Sequence, residues 1–524
     1  MPRFEIGLTQ SEPAWLQILG QERINYRLWD KTFTEETPRV LVLNHPLTDE
    51  EVSAFRSFVA AGGGILTDFA NLAKLMPDFK CQGLETIHYI EPEAKPVFDG
   101  IALIDLELPG YCSNQGNTGR LDNQGAALFC GNLGKGYCIA LPFDVGLALR
   151  DQRRALKAFY CDTPELPYEE TAVVTHQAVR RLCVNCLREL HRQLKLPYVH
   201  LWYYPDFKRT AFAFRVDGDF ATREQIEKTA ELAHRHDLKF SWYLNTKAHR
   251  SLMDYFRTLA EHGHDVQFHC HEHKVFDDAE HNRTNLSAGL AIMNEAGFKP
   301  SGFAGPFGHW NEGLNHVLEE SGFAYSSEFS LSYDDFPFYP ILSERLSKVM
   351  QIPLHPIGFG RLLQARMKHD QIVDYYKSYF RLRYLGGEPL FIYDHPHRIA
   401  ESFDTFDAIF KIVCKASDVW YPTLTGFHDW WKDRSALEYE VTSGQPEIIT
   451  VDGTCDTGVV LHVIDGEREA LVPMMSRDFE VEDLNWQPVK RQYPFKPEVL
   501  KTKKLGRHIW LREQVWKAGK LLKH

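Results

Sequence analysis

The feature that most constrains this chain is the stretch from Val40 to Phe69, VLVLNHPLTDEEVSAFRSFVAAGGGILTDF. An apolar run, a helical pattern, a glycine stop and a second apolar run follow one another, which predicts strand, helix, turn and strand. Two strands joined through a helix lie parallel, because the crossover returns the chain to the same end of the sheet. Similar alternation runs through residues 1–165, and the fold class expected there is α/β with a largely parallel sheet.

At 524 residues the chain exceeds what one hydrophobic core usually organises, and its 44% apolar content is that of a globular protein. The stretch at about 170–194, TAVVTHQAVRRLCVNCLRELHRQLK, shows apolar positions at helical spacing and predicts a connecting helix. Pro197 and Pro205 then punctuate the entry to a second domain. That domain opens with RTAFAFRVDGDF and continues with strand and helix patterns to about 435. From 438 to 490 short alternating runs such as GVVLHVI and EALVPM predict a small antiparallel β domain. The organisation expected is therefore 1–165 as an α/β domain, 166–204 as a linker helix, 205–437 as a second α/β domain, 438–490 as a β domain and 491–524 as a tail.

The start MPRFEIGLTQSEPAW has no apolar run behind a basic segment, so a cytoplasmic location is expected. Ten scattered cysteines read as reduced thiols, Cys183 and Cys186 included. A formal charge of −12 argues against a nucleic-acid partner.

The chemistry concentrates in the second domain. Asp217 and Asp219 stand at the end of an apolar run, where an α/β fold presents side chains to a cleft. On an extended segment one of the two could hold a metal while the other meets water. GHDVQFHCHEH then offers His269, His271 and His273. The first and last are four apart, the spacing of one face of a helical turn. Asp219 with His269 and His273 makes a three-ligand set with room for water. Zinc is the expected ion, with Co, Ni, Mn and Fe as alternatives. With 24 His in the chain, one HxxxH pair arises about once by chance, so order and surroundings carry the signal.

In that order and those surroundings, RVDGDF, GHDVQFHCHEH, GFAGPFGHWN and LFIYDHPHR resemble the successive motifs of the NodB-type polysaccharide deacetylases, carbohydrate esterase family 4. The resemblance spans about 205 to 435 and implies a distorted (β/α) barrel with the metal at the C-terminal end of the strands. It implies Asp217 as catalytic base, Asp219, His269 and His273 as metal ligands, and His395 as the acid that protonates the leaving amine. The two aspartates could exchange roles, and His397 could replace His395. The third motif of the family usually offers an arginine that orients the base. Ala304 stands at that position here, and Arg215, two residues before Asp217, is expected to supply the charge instead.

Pro306, Phe307, Trp310, His271 and His397 are expected to line the substrate site. Trp310, Trp420, Trp430 and Trp431 are weighed as sugar-stacking rings against a place in the core. The first domain resembles the class I glutamine amidotransferase-like (flavodoxin-like) fold, but no Cys or Ser sits in a G-x-[CS]-x-G elbow, so a scaffold role is expected.

The tail LGRHIWLREQVWKAGKLLKH reads as a basic amphipathic helix suited to an anionic membrane face, or docked on its own acidic protein. The function expected is metal-dependent removal of an acyl group, most simply acetyl, from an acylated amino sugar, polysaccharide or lipid-linked glycan. Hydrolysis of a non-sugar amide such as a cyclic ureide, and a silent sugar-binding or scaffold role, are the rival readings. An oligomer is compatible with all three.

Overall fold

The computed structural model describes residues 4–492 apart from 31, 124, 162, 164, 344, 444–447, 453–457 and 475–477. The basic helix expected in the tail lies outside the described residues.

Five parallel strands form one side of the first sheet, in the order Tyr26–Leu28, Ile6–Leu8, Val40–Val42, Gly64–Asp68 and Gly136–Leu141. Successive side chains on a strand face opposite sides. Leu41, Ile65, Cys138 and Ala140 accordingly pack with Phe55, Val59 and Leu72 of two helices on one face. Val40, Val42, Leu66 and Ile139 pack on the other face with Ile18 and with Leu182, Cys183 and Cys186 of the helix His176–Gln193. Burial on both faces explains why these strands read as unbroken apolar runs. The helix Asp49–Ala61 starts on a capping box between Thr48 and Glu51 and stops at Gly62, whose φ of 119° suits glycine alone.

The sheet continues with four antiparallel strands, Ala126–Leu133, Thr118–Leu121, Leu84–Glu91 and Ile104–Tyr111, which the sequence pattern did not predict. Only Gly134 and Lys135 separate Leu133 from Gly136, too short a link for a crossover helix, so that pair must form a hairpin. The connecting segment also differs from its expectation. Tyr168–Ala172 pairs with Arg154–Ala158 as a strand, and the helix begins only at His176. The nine described cysteines are free thiols.

The second domain is a curled parallel half-barrel. Its strands run in the order Met350–Gln351, Tyr325–Ser326, Gly302–Phe303, Asp265–Cys270, Ser241–Asn245, Thr210–Asp217 and Leu390–Asp394, with Val419–Trp420 pairing the start of Thr210–Asp217. Alternation again sorts the side chains. Phe212, Phe214, Val216, Trp242, Leu244, Phe268 and Ile392 face the surrounding helices, whereas Ala211, Ala213, Tyr243, Ala304, Tyr325 and Phe391 face inward.

The helix Leu424–Ala436 closes the N-terminal end of this half-barrel. Leu424, Phe427 and Trp431 enter the inner core, and Thr425 Oγ1 lies 2.8 Å from Asp265 Oδ2 at the start of a strand. The interior of the half-barrel is thus filled at that end, and the strand Thr210–Asp217 brings its carboxylate to the other.

Among the described residues of the 438–490 region the strands pair antiparallel. Its larger sheet, Val460–Asp465, Arg468–Pro473 and Gln487–Pro488, is completed by Tyr198–Leu201 from the segment read as linker.

Candidate metal centre and its cleft

The strand Thr210–Asp217 carries the first carboxylate inward, because Asp217 has the parity of Ala211 and Ala213. The strand ends there. Gly218 turns the chain where a Cβ would come within 2.7 Å of the His249 ring and 3.0 Å of the Tyr243 carbonyl, and Asp219 follows with φ of 44°. The expected extended segment through both aspartates is therefore broken at Gly218, and this left-handed turn swings the Asp219 carboxylate into the cleft.

The two histidines do not share a helical turn. His269 belongs to the strand Asp265–Cys270 and His273 to the bend after it. The register of that strand slips between Leu244 and Asn245, so that His269 sits on a bulge, a device that re-aims a side chain beside a site. The ligand atoms of Asp219, His269 and His273 all lie within 4.8 Å of one another. Asp219 Oδ1 is 2.9 Å from His273 Nε2 and 3.3 Å from His269 Nε2.

His269 shows that this group fits a cation. Its Nδ1 lies 2.7 Å from the Ala304 carbonyl and donates to it, which leaves the lone pair on Nε2. That Nε2 is buried and has no hydrogen-bond partner. A buried, unprotonated imidazole nitrogen aimed at a second imidazole and a carboxylate is the donor set of a borderline divalent metal.

Across the cleft, His395 Nε2 lies 3.2 Å from Asp219 Oδ2. Behind it, Nδ1 is 3.0 Å from Arg398 Nη1 and 3.5 Å from Asp394 Oδ1. Burial and Arg398 disfavour the imidazolium, but Asp219 outweighs both and raises His395 to about 9. The Arg398 contact needs a lone pair on Nδ1 and so favours the neutral ring. In both protonation states Nε2 carries a proton toward the cleft. Burial raises the Asp219 carboxyl, yet the charge of His395 and hydrogen bonds from His273 and His395 hold it well below the usual range.

Asp217 is held from one side only. Arg215 Nη2 lies 2.6 Å from its Oδ2, while Oδ1 is buried without a partner. Arg215 is itself fully buried, bonds the Ser327 carbonyl through Nη1 and lies over the Tyr243 and Tyr393 rings at 5.8 and 4.9 Å. Beside it, Glu328 accepts from the Gly305 amide and from Gln351, and burial pushes it up to about 7. Neither Glu328 nor Arg398 was legible as part of this region, since each becomes a neighbour only through the curl of the sheet.

The expected substrate wall is divided. Phe307, with φ of 60° in the turn Pro306–Gly308, is 52% exposed, and its ring is 5.0 Å from that of His273. Phe220, which the sequence did not single out, is 66% exposed and lies 5.7 Å from the same ring. Pro306 is buried and shapes the turn. His397 stands 5.6 Å from His395, ring to ring.

His271 turns away from the cluster, with Nδ1 3.1 Å from Thr246 Oγ1. Trp310 is packed among Leu331, Phe338 and Leu342, out of reach of the cleft. Trp431 is in the inner core, Trp420 packs against it, and Trp430 donates to the Tyr203 carbonyl at the opposite end of the half-barrel. Trp310 and Trp431 are buried, and Trp420 and Trp430 are partly buried against the hydrophobic clusters.

No family model matches this sequence, and no curated protein matches it. Solved structures do. Over 44% of its length the chain is similar to a putative polysaccharide deacetylase from Mycobacterium smegmatis, at 17% identity and a TM-score of 0.39, covering 93% of that chain. It is similar over the same share to Puue allantoinase, at 17% identity, 93% of that chain and a TM-score of 0.38. A probable polysaccharide deacetylase from Pseudomonas aeruginosa PAO1 matches at 16% identity, again 44% of this chain and 93% of that one, with a TM-score of 0.38. Likeness at this level leaves the functional argument to the geometry above.

Proposed function

We propose that this chain is a metal-dependent hydrolase that removes an acyl group, most simply acetyl, from the nitrogen of an acylated amino sugar. The observation that carries the reading is the convergence of Asp219, His269 and His273, with the unpartnered Nε2 of His269 at its centre. These three residues would hold the ion, with zinc the best match to two imidazoles and one carboxylate. When bound, such an ion lowers the pKa of water to about 7 and polarises a carbonyl.

The remaining groups divide the proton work. Asp217, anchored through Oδ2 by Arg215, keeps Oδ1 free to take a proton from attacking water. His395 faces the cleft with a proton on Nε2 and hands it to the departing nitrogen. Arg398 and Asp394 fix the ring from behind. Arg215, in place of an arginine at position 304, is read as the group that orients the base. Phe220 and Phe307, exposed on either side of His273, offer apolar faces to a sugar ring.

The first domain is read as a non-catalytic flavodoxin-like scaffold, supported by five parallel strands in the order second, first, third, fourth, fifth. Among the described residues no helix is long and apolar enough to cross a membrane.

The test is metal content of the purified protein and of the His269→Ala, His273→Ala double variant, each followed by acetate release from N-acetylated sugars and by hydrolysis of allantoin. Roughly one divalent ion per chain, lost in the double variant together with acetate release, supports the proposal. Hydrolysis of allantoin but not of acetylated sugars moves the reading to cyclic amides. A metal-free and inert wild type overturns it.

A further inference from the structure

The helix His176–Gln193 carries arginines at 180, 181, 188 and 192, and all four line one cavity where the first domain, the half-barrel and the C-terminal sheet meet. Positions 180 and 192 are twelve residues apart, so at 1.5 Å per residue the ladder is about 18 Å long. It descends from the surface inward, with side-chain exposure of 33% at Arg192, 28% at Arg188, 14% at Arg181 and 3% at Arg180.

Acidic groups hold these arginines from behind. Arg180 Nε lies 2.8 Å from Asp335 and Arg181 2.6 Å from Glu388, while the fully buried Glu22 lies 3.4 Å from Arg180 and 3.5 Å from Arg188. Arg188 also lies over the Tyr198 ring at 5.3 Å. This backing does not use every donor. Arg192 is held by Glu189 at 2.6 Å, whereas Arg180 Nη2, 4.0 Å from Glu388 Oε1, and Arg188 Nε are buried and have no hydrogen-bond partner. Buried guanidinium N–H groups without acceptors are costly and uncommon. The cavity lining counts seven Lys or Arg against four Asp or Glu, in a chain whose formal charge is −12.

We infer that this cavity binds a phosphate-bearing anion. The two unpartnered donors stand on different turns of the helix, and a tetrahedral phosphate or pyrophosphate accepts from such divergent directions more readily than one planar carboxylate. The site is separate from the metal centre. Its half-barrel lining comes from Trp202, Arg209 and Leu385–Gly387, just before the strands that begin at Thr210 and Leu390, whereas the metal cluster lies at the far ends of the strands. Eight residues of strand at about 3.3 Å each place the two roughly 25 Å apart.

The probe is sodium pyrophosphate, titrated calorimetrically into the full-length, chelator-treated and dialysed protein. The variants are Arg188→Gln, Arg192→Gln at the mouth of the cavity, and Arg250→Gln, a surface arginine elsewhere that is 68% exposed. Saturable binding by the wild type, weakened about 10-fold or more by Arg188→Gln and unchanged by Arg250→Gln, is expected. It should weaken further as salt is raised. Arg192→Gln, whose side chain is a third exposed, reads the same loss if Arg188→Gln fails to fold. Absence of binding at millimolar pyrophosphate, equal affinity in the arginine-ladder variants, or citrate binding as tightly as pyrophosphate would each overturn the assignment.

Discussion

Arg215 and Asp217 project from one face of a single strand, two residues apart, and meet at 2.6 Å with both side chains buried. The strand itself enforces the pair, since residues i and i+2 share a face. Asp217 is thereby pointed at the cleft without help from position 304, where Ala304 instead offers its carbonyl to His269.

Removing one partner should cost far more than removing both. Arg215→Met strands the Asp217 carboxylate and is expected to destabilise the fold by about 3–5 kcal/mol, whereas the double variant with Asp217→Asn recovers much of that loss. Urea denaturation of the two single variants and the double closes the cycle. Additive losses would show that the two side chains are not coupled.

The proton balance of the cleft is testable without metal. In chelator-treated protein, NMR titration of His395 should give a value near 9, and Asp219→Asn should bring it down sharply, because Asp219 supplies the largest raising contribution against burial. The raised value also sets the sign of linkage. The pair's stabilisation is fully present below the unfolded pKa of about 6.5 and is lost as pH rises through about 9. An unmoved His395 in Asp219→Asn would deny the pairing.

Glu328 makes the opposite prediction for a carboxyl. Burial raises it to about 7, so its protonated form is native and stability falls as pH climbs from about 4.5 to 7. Glu328→Gln should abolish that slope and stabilise the protein at pH 8, by at most about 3 kcal/mol. Gln351 Oε1 has no partner at present, so a flip of its amide lets it accept from the new side chain. Melting temperatures at pH 5 and pH 8 decide the matter, and a variant that is less stable at both would refute it.

The exposed rings beside His273 should act on binding. Phe307→Ala and Phe220→Ala are expected to raise KM for an acylated sugar by about 10-fold each, with a smaller change in kcat, since each stacked ring is worth roughly 1–1.5 kcal/mol. A fall in kcat at constant KM would instead place them in the reaction step.

The apolar strands of the parallel sheets were legible in the sequence, and Asp217, Asp219, His269, His273 and His395 were singled out there as candidates. Periodicity and strand-end position depend only on neighbours along the chain. What the sequence misread follows from the same limit. The His269–His273 spacing suggested a helical turn, but a bulged strand and the bend after it bring the rings together. Trp310, within GFAGPFGHWN, was weighed as a sugar-stacking ring, yet beyond the reversal at Gly308 it packs in the core.

Only the tertiary structure could decide the rest. Arg398 and Phe220 reach the cleft, and Glu328 its buried surroundings, through curl and turn geometry, and no local pattern encodes those distances. Burial decided the charges as well. Whether His395 holds its proton at neutral pH depends on Asp219, 176 positions earlier in the chain, lying 3.2 Å from it in a site with little water to screen them.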